Sequence, residues 1–115
     1  MKLFTEAKLL RVFIGESDKF EGRPLYQAIV EKARERELAG ATVLRGYLGY
    51  GANSRIHSAR IMRLSEDLPM VIEIVDEPER IAAFATELDD MIQEGLVTTE
   101  RVQVIIYRHD GQALS

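Results

Sequence analysis

Met70-Val71-Ile72-Glu73-Ile74-Val75 is a short, almost continuously apolar run broken by one carboxylate. Successive side chains of an extended chain face opposite ways. Val71 and Val75 therefore oppose Met70, Ile72 and Ile74, and both faces of this strand need cover. Arg101-Val102-Gln103-Val104-Ile105-Ile106-Tyr107-Arg108 repeats the pattern, with Ile105 set against Val102, Val104 and Ile106. Leu9-Leu10-Arg11-Val12-Phe13-Ile14, closed by Gly15, reads as a third such strand, and Ala41 to Tyr50, rich in β-branched and aromatic residues, as a fourth. These strands require layers on two sides, which restricts the fold before any motif is considered.

Two helices are expected between them. Pro24 suits a first helical position, and Leu25, Ala28, Ile29 and Ala33 then form one apolar stripe, with Gly40 as the stop. Asp76-Glu77-Pro78-Glu79 reads as a helix start with Asp76 capping. Ile81, Phe84, Ala85, Leu88 and Ile92 follow at helical spacing, ending near Gly95. The order strand, helix, strand, long loop, strand, helix, strand predicts an α+β, ferredoxin-like βαββαβ sandwich: an antiparallel four-stranded sheet with two helices on one face. Its other face would stay bare and apolar, which implies a homo-oligomer with sheets facing one another.

The chain of 115 residues has room for a single domain, 1–115, with 1–7 and 109–115 as flexible ends. No apolar run reaches the roughly 18 residues of a membrane helix, so direct membrane insertion is not expected and the cytoplasm is the default compartment. A net charge of −4 argues against generic nucleic-acid binding. Catalysis finds little support. Cys is absent, and neither His57 nor His109 sits in a metal-ligand or nucleophile motif, so no enzyme is expected.

Two features invite a binding function. Glu73 amid Val71, Ile72, Ile74 and Val75 must find a cation, a donor or water; an arginine partner is the favoured reading, a ligand or subunit contact the other. The segment Arg45-Gly46-Tyr47-Leu48-Gly49-Tyr50-Gly51-Ala52-Asn53-Ser54-Arg55-Ile56-His57 combines strand-weakening glycines with polar groups suited to an anionic or nucleotide ligand. The alternative is a bulged strand edge. The polar excursion 51–68 is long for a compact domain, which marks it as a functional loop.

Gly40-Ala41-Thr42-Val43 followed by Gly49-Tyr50-Gly51 is similar to the pattern that leads into the T-loop of PII signalling proteins. The stretches LRVFIGESDKFEGRPLYQAIVEKA, GATVLRGYLGYGANSRIH and LSEDLPMVIEIVD resemble the PII-like family filed as domain of unknown function 190. This resemblance implies a ferredoxin-like subunit in a homotrimer, with a small adenine nucleotide (AMP, ADP or cyclic AMP) as effector in clefts between subunits, and the 51–68 loop contacting a target such as a membrane transporter. The resemblance marks Thr42, Gly49, Gly51 and Arg108 for ligand binding, and the reading of the residues adds Gly46, Asn53, Arg55, His57 and Glu73. Gln93 to Glu100 lacks the Gly-Asp-Gly-Lys phosphate grip of PII, so a mono-, di- or cyclic nucleotide suits the chain better than ATP. The rival reading is a trimeric metal-binding or metal-tolerance protein using His57, Glu66, Asp67 and Glu73.

Overall fold

The computed structural model describes residues 6–50 and 67–113. Strand β1 spans Glu6–Gly15, and a short hairpin follows, β2 (Lys19–Phe20) with β3 (Arg23–Pro24), turning through Glu21 and Gly22 at positive φ. Helix α1 covers Leu25–Glu35, β4 Thr42–Arg45, β5 Pro69–Asp76, α2 Pro78–Asp89 and β6 Leu96–Gln103. A last hairpin pairs β7 (Arg108–His109) with β8 (Gln112–Ala113). The main sheet has the order β4-β5-β1-β6, antiparallel throughout, and the ferredoxin-like expectation holds.

Strand β1 lies inside the sheet with a neighbour on each side: Leu10 opposes Ile74 on one and Thr99 on the other. Leu10, Val12, Ile14, Met70, Ile72 and Ile74 face the helices and are buried. Against them pack Leu25, Ala28, Ile29 and Ala33 of α1, the stripe read from the sequence, and Ile81, Phe84 and Leu88 of α2. Such burial is worth about 1.5–3 kcal/mol for each large apolar side chain. The opposite face carries Leu9, Arg11, Phe13, Val71, Glu73, Val75, Thr42 and Leu44 in register, and neither helix among the described residues packs over it.

Several boundaries differ from the sequence reading, for physical reasons. Pro24 pairs with Lys19 and stands just before α1, so its fixed φ ends a strand and aims the chain into the helix. Gly40 does not stop α1. Glu37 takes the left-handed position (φ 57°), with Leu38 N–H donating to Ala33 O and Glu37 N–H to Arg34 O, the paired bonds of a Schellman ending, and Leu38 packs back on the core. Asp76 does not cap α2: the N-cap is Glu77, and Asp76 is fully buried.

The second main strand is much shorter than the run 41–50. It ends at Arg45, and Tyr47, Leu48 and Tyr50 are exposed beyond it. The final strand is displaced towards the N-terminus. It occupies 96–103, so most of the segment compared with the phosphate grip of PII is sheet, and Val104–Tyr107 leaves the sheet. β1 and the β7–β8 hairpin also reach into the residues assigned to the chain ends, with Ala7 only 2% exposed.

Candidate functional site

The uncovered face of the sheet becomes concave at one end. After β6, residues Val104–Tyr107 cross back over the ends of the central strands, and the Tyr107 hydroxyl donates to Ala39 O at 3.0 Å. Beneath this strap lies a groove of about 590 Å³, lined by Leu9 and Val75 on the floor, Ala39, Gly40, Ala41 and Thr42 on one wall, and Val102 to Tyr107 on the other, with Glu73 at its edge. The walls are mostly apolar. Thr42, Glu73, Gln103 and backbone groups supply the polar contacts, an arrangement suited to a flat heterocycle that needs stacking area and a few oriented hydrogen bonds.

Of the residues expected to bind ligand, Thr42 and Glu73 are directly paired across β4 and β5 and both line the groove. Glu73 satisfies the arginine expectation as well, because Arg11 Nε donates to it at 2.9 Å, and Arg11 also pairs with Glu100. The hydrogen bond to Glu73 raises the Arg11 pKa above its ordinary value, against the opposing effect of burial and with Glu100 adding. The three residues form a charged row across a largely apolar face.

The remaining candidates are placed elsewhere. Gly46 donates its N–H to Pro69 O at 2.6 Å, and a Cβ there would stand 2.5 Å from the Pro69 ring; the glycine permits that close approach of β5. Gly49 is exposed beside the same ring, and Arg108 is exposed in β7, next to the groove but outside its lining. Gly51, Asn53, Arg55 and His57 lie outside the described residues, as does Glu66 of the metal reading. Among the described residues no group of three or more His, Cys, Asp or Glu side chains converges. Asp67 accepts from the Ser17 N–H and hydroxyl at 3.1 and 2.8 Å, which ties one root of the 51–68 segment to the β1–β2 turn. The other root is held by Arg45 pairing with Glu16.

Sequence reasoning missed the strap and the part of Ala39, Gln103 and Tyr107 in the wall. The apolar run Val104-Ile105-Ile106 has the composition of a strand interior, yet Ile105 is 86% exposed. The position of Tyr107 four residues beyond the strand end carried no local signal.

The family profile of domain of unknown function 190, described as an uncharacterized ACR, matches residues 7–104. A UPF0166 protein of Aquifex aeolicus is 45% identical over 98 residues, covering 85% of this chain and 92% of that one. A UPF0166 protein of Methanocaldococcus jannaschii is 38% identical over 93 residues, covering 80% and 85%. Among solved structures, a putative PII-like signaling protein from Thermus thermophilus superposes with a TM-score of 0.62 at 17% identity, covering 88% of this chain and 91% of that one. CPII from Thiomonas intermedia, bound to ADP and bicarbonate, gives 0.57 at 14%, with 86% and 88% covered. No helix among the described residues is long and apolar enough to cross a membrane. With nearly the whole chain matched by the family profile and the fold shared with these structures, the chain belongs to the domain-of-unknown-function 190 family and has the PII-like fold.

Proposed function

We propose that the protein is a cytoplasmic PII-like regulator that binds a small adenine nucleotide in the groove under the Val104–Tyr107 strap and needs no catalysis. The observation that carries this reading is the groove itself: mostly apolar walls around about 590 Å³, within the range of small-molecule sites, with Thr42 and Glu73 paired at one edge. A fold shared with a CPII structure bound to ADP supports it. Among the described residues the groove offers a carboxylate and no cation in its lining, so it suits the base and ribose better than a phosphate chain. Phosphate would then fall to arginines outside it, with Arg108 adjacent and Arg55 in the loop. A homotrimer with sheets facing inward would cover Leu9, Phe13, Val71 and Leu44 and complete each groove at a subunit boundary. The 51–68 loop, rooted at Glu16 and Ser17, is the segment offered to a target such as a membrane transporter.

A thermal-unfolding scan against AMP, ADP, ATP, cyclic AMP and divalent metals, beside a light-scattering mass, tests the reading. A nucleotide at a hundredfold excess over its Kd adds about 2.7 kcal/mol of stability, a shift that is easily seen. The expected result is a shift with one adenine nucleotide on a trimer. A shift with metals only, or a monomeric mass, overturns it in favour of the metal-binding reading or an enzyme.

A further inference from the structure

Asp76, the last residue of β5, is a carboxylate with no exposed surface in a core otherwise built from Leu, Ile, Val, Phe, Met and Ala. A buried charge is kept only where it is fully engaged, because desolvating it costs several kcal/mol. Its engagement is specific: Oδ2 accepts the Ala39 N–H at 2.9 Å, Oδ1 accepts the Glu77 N–H at 2.7 Å, and Arg80 Nε lies 3.2 Å from Oδ1. The same guanidinium donates through Nη2 to Arg36 O and Glu37 O at 3.0 and 2.6 Å, satisfying carbonyls that the end of α1 leaves open.

Ala39 is thereby held from two sides. Its N–H is fixed by Asp76 in the core, and its carbonyl receives the Tyr107 hydroxyl from the strap. Residues 39–41 connect the last bond of α1, Leu38 N–H to Ala33 O, to the first pair of β4, Thr42 with Glu73, and they form one wall of the groove. A displacement of the strap thus reaches the buried Asp76 carboxylate through a single residue.

We propose that Asp76 is the positioning residue of the groove: acting through Ala39, it sets the wall against which Tyr107 latches the strap, so that wall and strap move together. The ligand part of this inference rests on the nucleotide reading above; the mechanical part does not.

The test compares wild type, Asp76→Asn, Tyr107→Phe and the double variant. Without ligand, amide hydrogen exchange is followed at Ala39, Gly40 and Ala41, at Ile105 and Tyr107, and at Leu10 and Val12 of β1 as a core reference. In wild type the wall and strap should exchange faster than β1, by local opening, and each single variant is expected to speed both of them by at least about fivefold, roughly the factor one lost hydrogen bond carries, with β1 sped by no more than the fall in global stability explains. Acceleration of the wall by Asp76→Asn alone and of the strap by Tyr107→Phe alone would mean that the two move separately, and no acceleration would mean no hold on the wall; either overturns the proposal. In ADP titrations, both single variants should weaken affinity about fivefold and the double variant no further, since each releases the same residue. Additive losses overturn the coupling. If none of AMP, ADP and cyclic AMP binds wild type, the nucleotide reading fails while the exchange result still decides the wall and strap.

Discussion

Gly46→Ala separates a packing role for this glycine from a role in holding ligand. The new Cβ would stand 2.5 Å from Pro69 Cγ and 3.1 Å from the Pro69 carbonyl that accepts the Gly46 N–H. Ordinary contact begins at 3.4 Å, so the ring must retreat by about 0.9 Å. Proline cannot swing away as a long side chain does, and Pro69 is the first residue of β5, so the end of the β4–β5 pair has to part. Overpacking of this kind costs about 1–3 kcal/mol. Gly46 has no positive φ, so alanine is allowed by the backbone and recovers about 0.4–1 kcal/mol through the unfolded chain. The net expectation is a destabilisation of about 1–2 kcal/mol. Urea unfolding followed by circular dichroism, at one fixed protein concentration, should show the midpoint lowered by roughly 0.5–1 M with m unchanged. Gly40→Ala is the control: nothing lies within 4 Å of its Cβ, and it should be neutral or slightly stabilising. A Gly46→Ala protein as stable as wild type would refute the packing argument and return Gly46 to the candidate ligand contacts.

Glu37 holds the left-handed position at the end of α1, a conformation that costs a side-chain-bearing residue about 1–2 kcal/mol; Glu37→Gly should raise stability by up to about 1 kcal/mol after the added freedom of the unfolded chain is set against it, and a loss in urea unfolding would contradict this. Ile72 is fully buried within the sheet, so Ile72→Ala should cost about 2–5 kcal/mol, measured in the same assay, and a loss below about 1 kcal/mol would show a core that collapses around the gap. The hydrogen bond from Arg36 holds the Glu87 carboxyl below its ordinary value, against the opposing effect of burial and with the charges of Arg36 and Lys32 adding. A lowered pKa gives stability that is full above about pH 4.5 and lost as pH falls through the lowered value. Glu87→Gln should therefore be less stable than wild type at neutral pH, with the gap closing in acid; a constant gap would mean the pair contributes nothing through titration.

The helical stripes and the two-layer α+β architecture were legible because both rest on periodicity. Leu25, Ala28, Ile29 and Ala33 could bury together only on one helix face, and the strands that are apolar on both sides required two layers. The boundaries were not, because two segments acted against the usual roles of their residue types. Glu37, not Gly40, turned the chain left-handed, and the apolar Val104–Tyr107 run served as a cover for the groove instead of a strand interior. Thr42 and Glu73 were singled out from composition and resemblance, and the β4–β5 register brings them side by side at the groove. The opposite wall was not, since the contact of Tyr107 with Ala39 joins residues 68 positions apart and no local pattern encodes it.

A calorimetric titration of ADP into wild type and into Thr42→Tyr tests the central claim most directly. Thr42 is exposed on an edge strand that tolerates a tyrosine, and the larger ring would fill the groove without disturbing the core. Binding of one ADP per chain to wild type, weakened at least about tenfold in Thr42→Tyr, a change of about 1.4 kcal/mol, is the predicted result. Equal affinity in the two proteins, or no binding of ADP, AMP or cyclic AMP to wild type, would contradict the assignment of the groove as the nucleotide site.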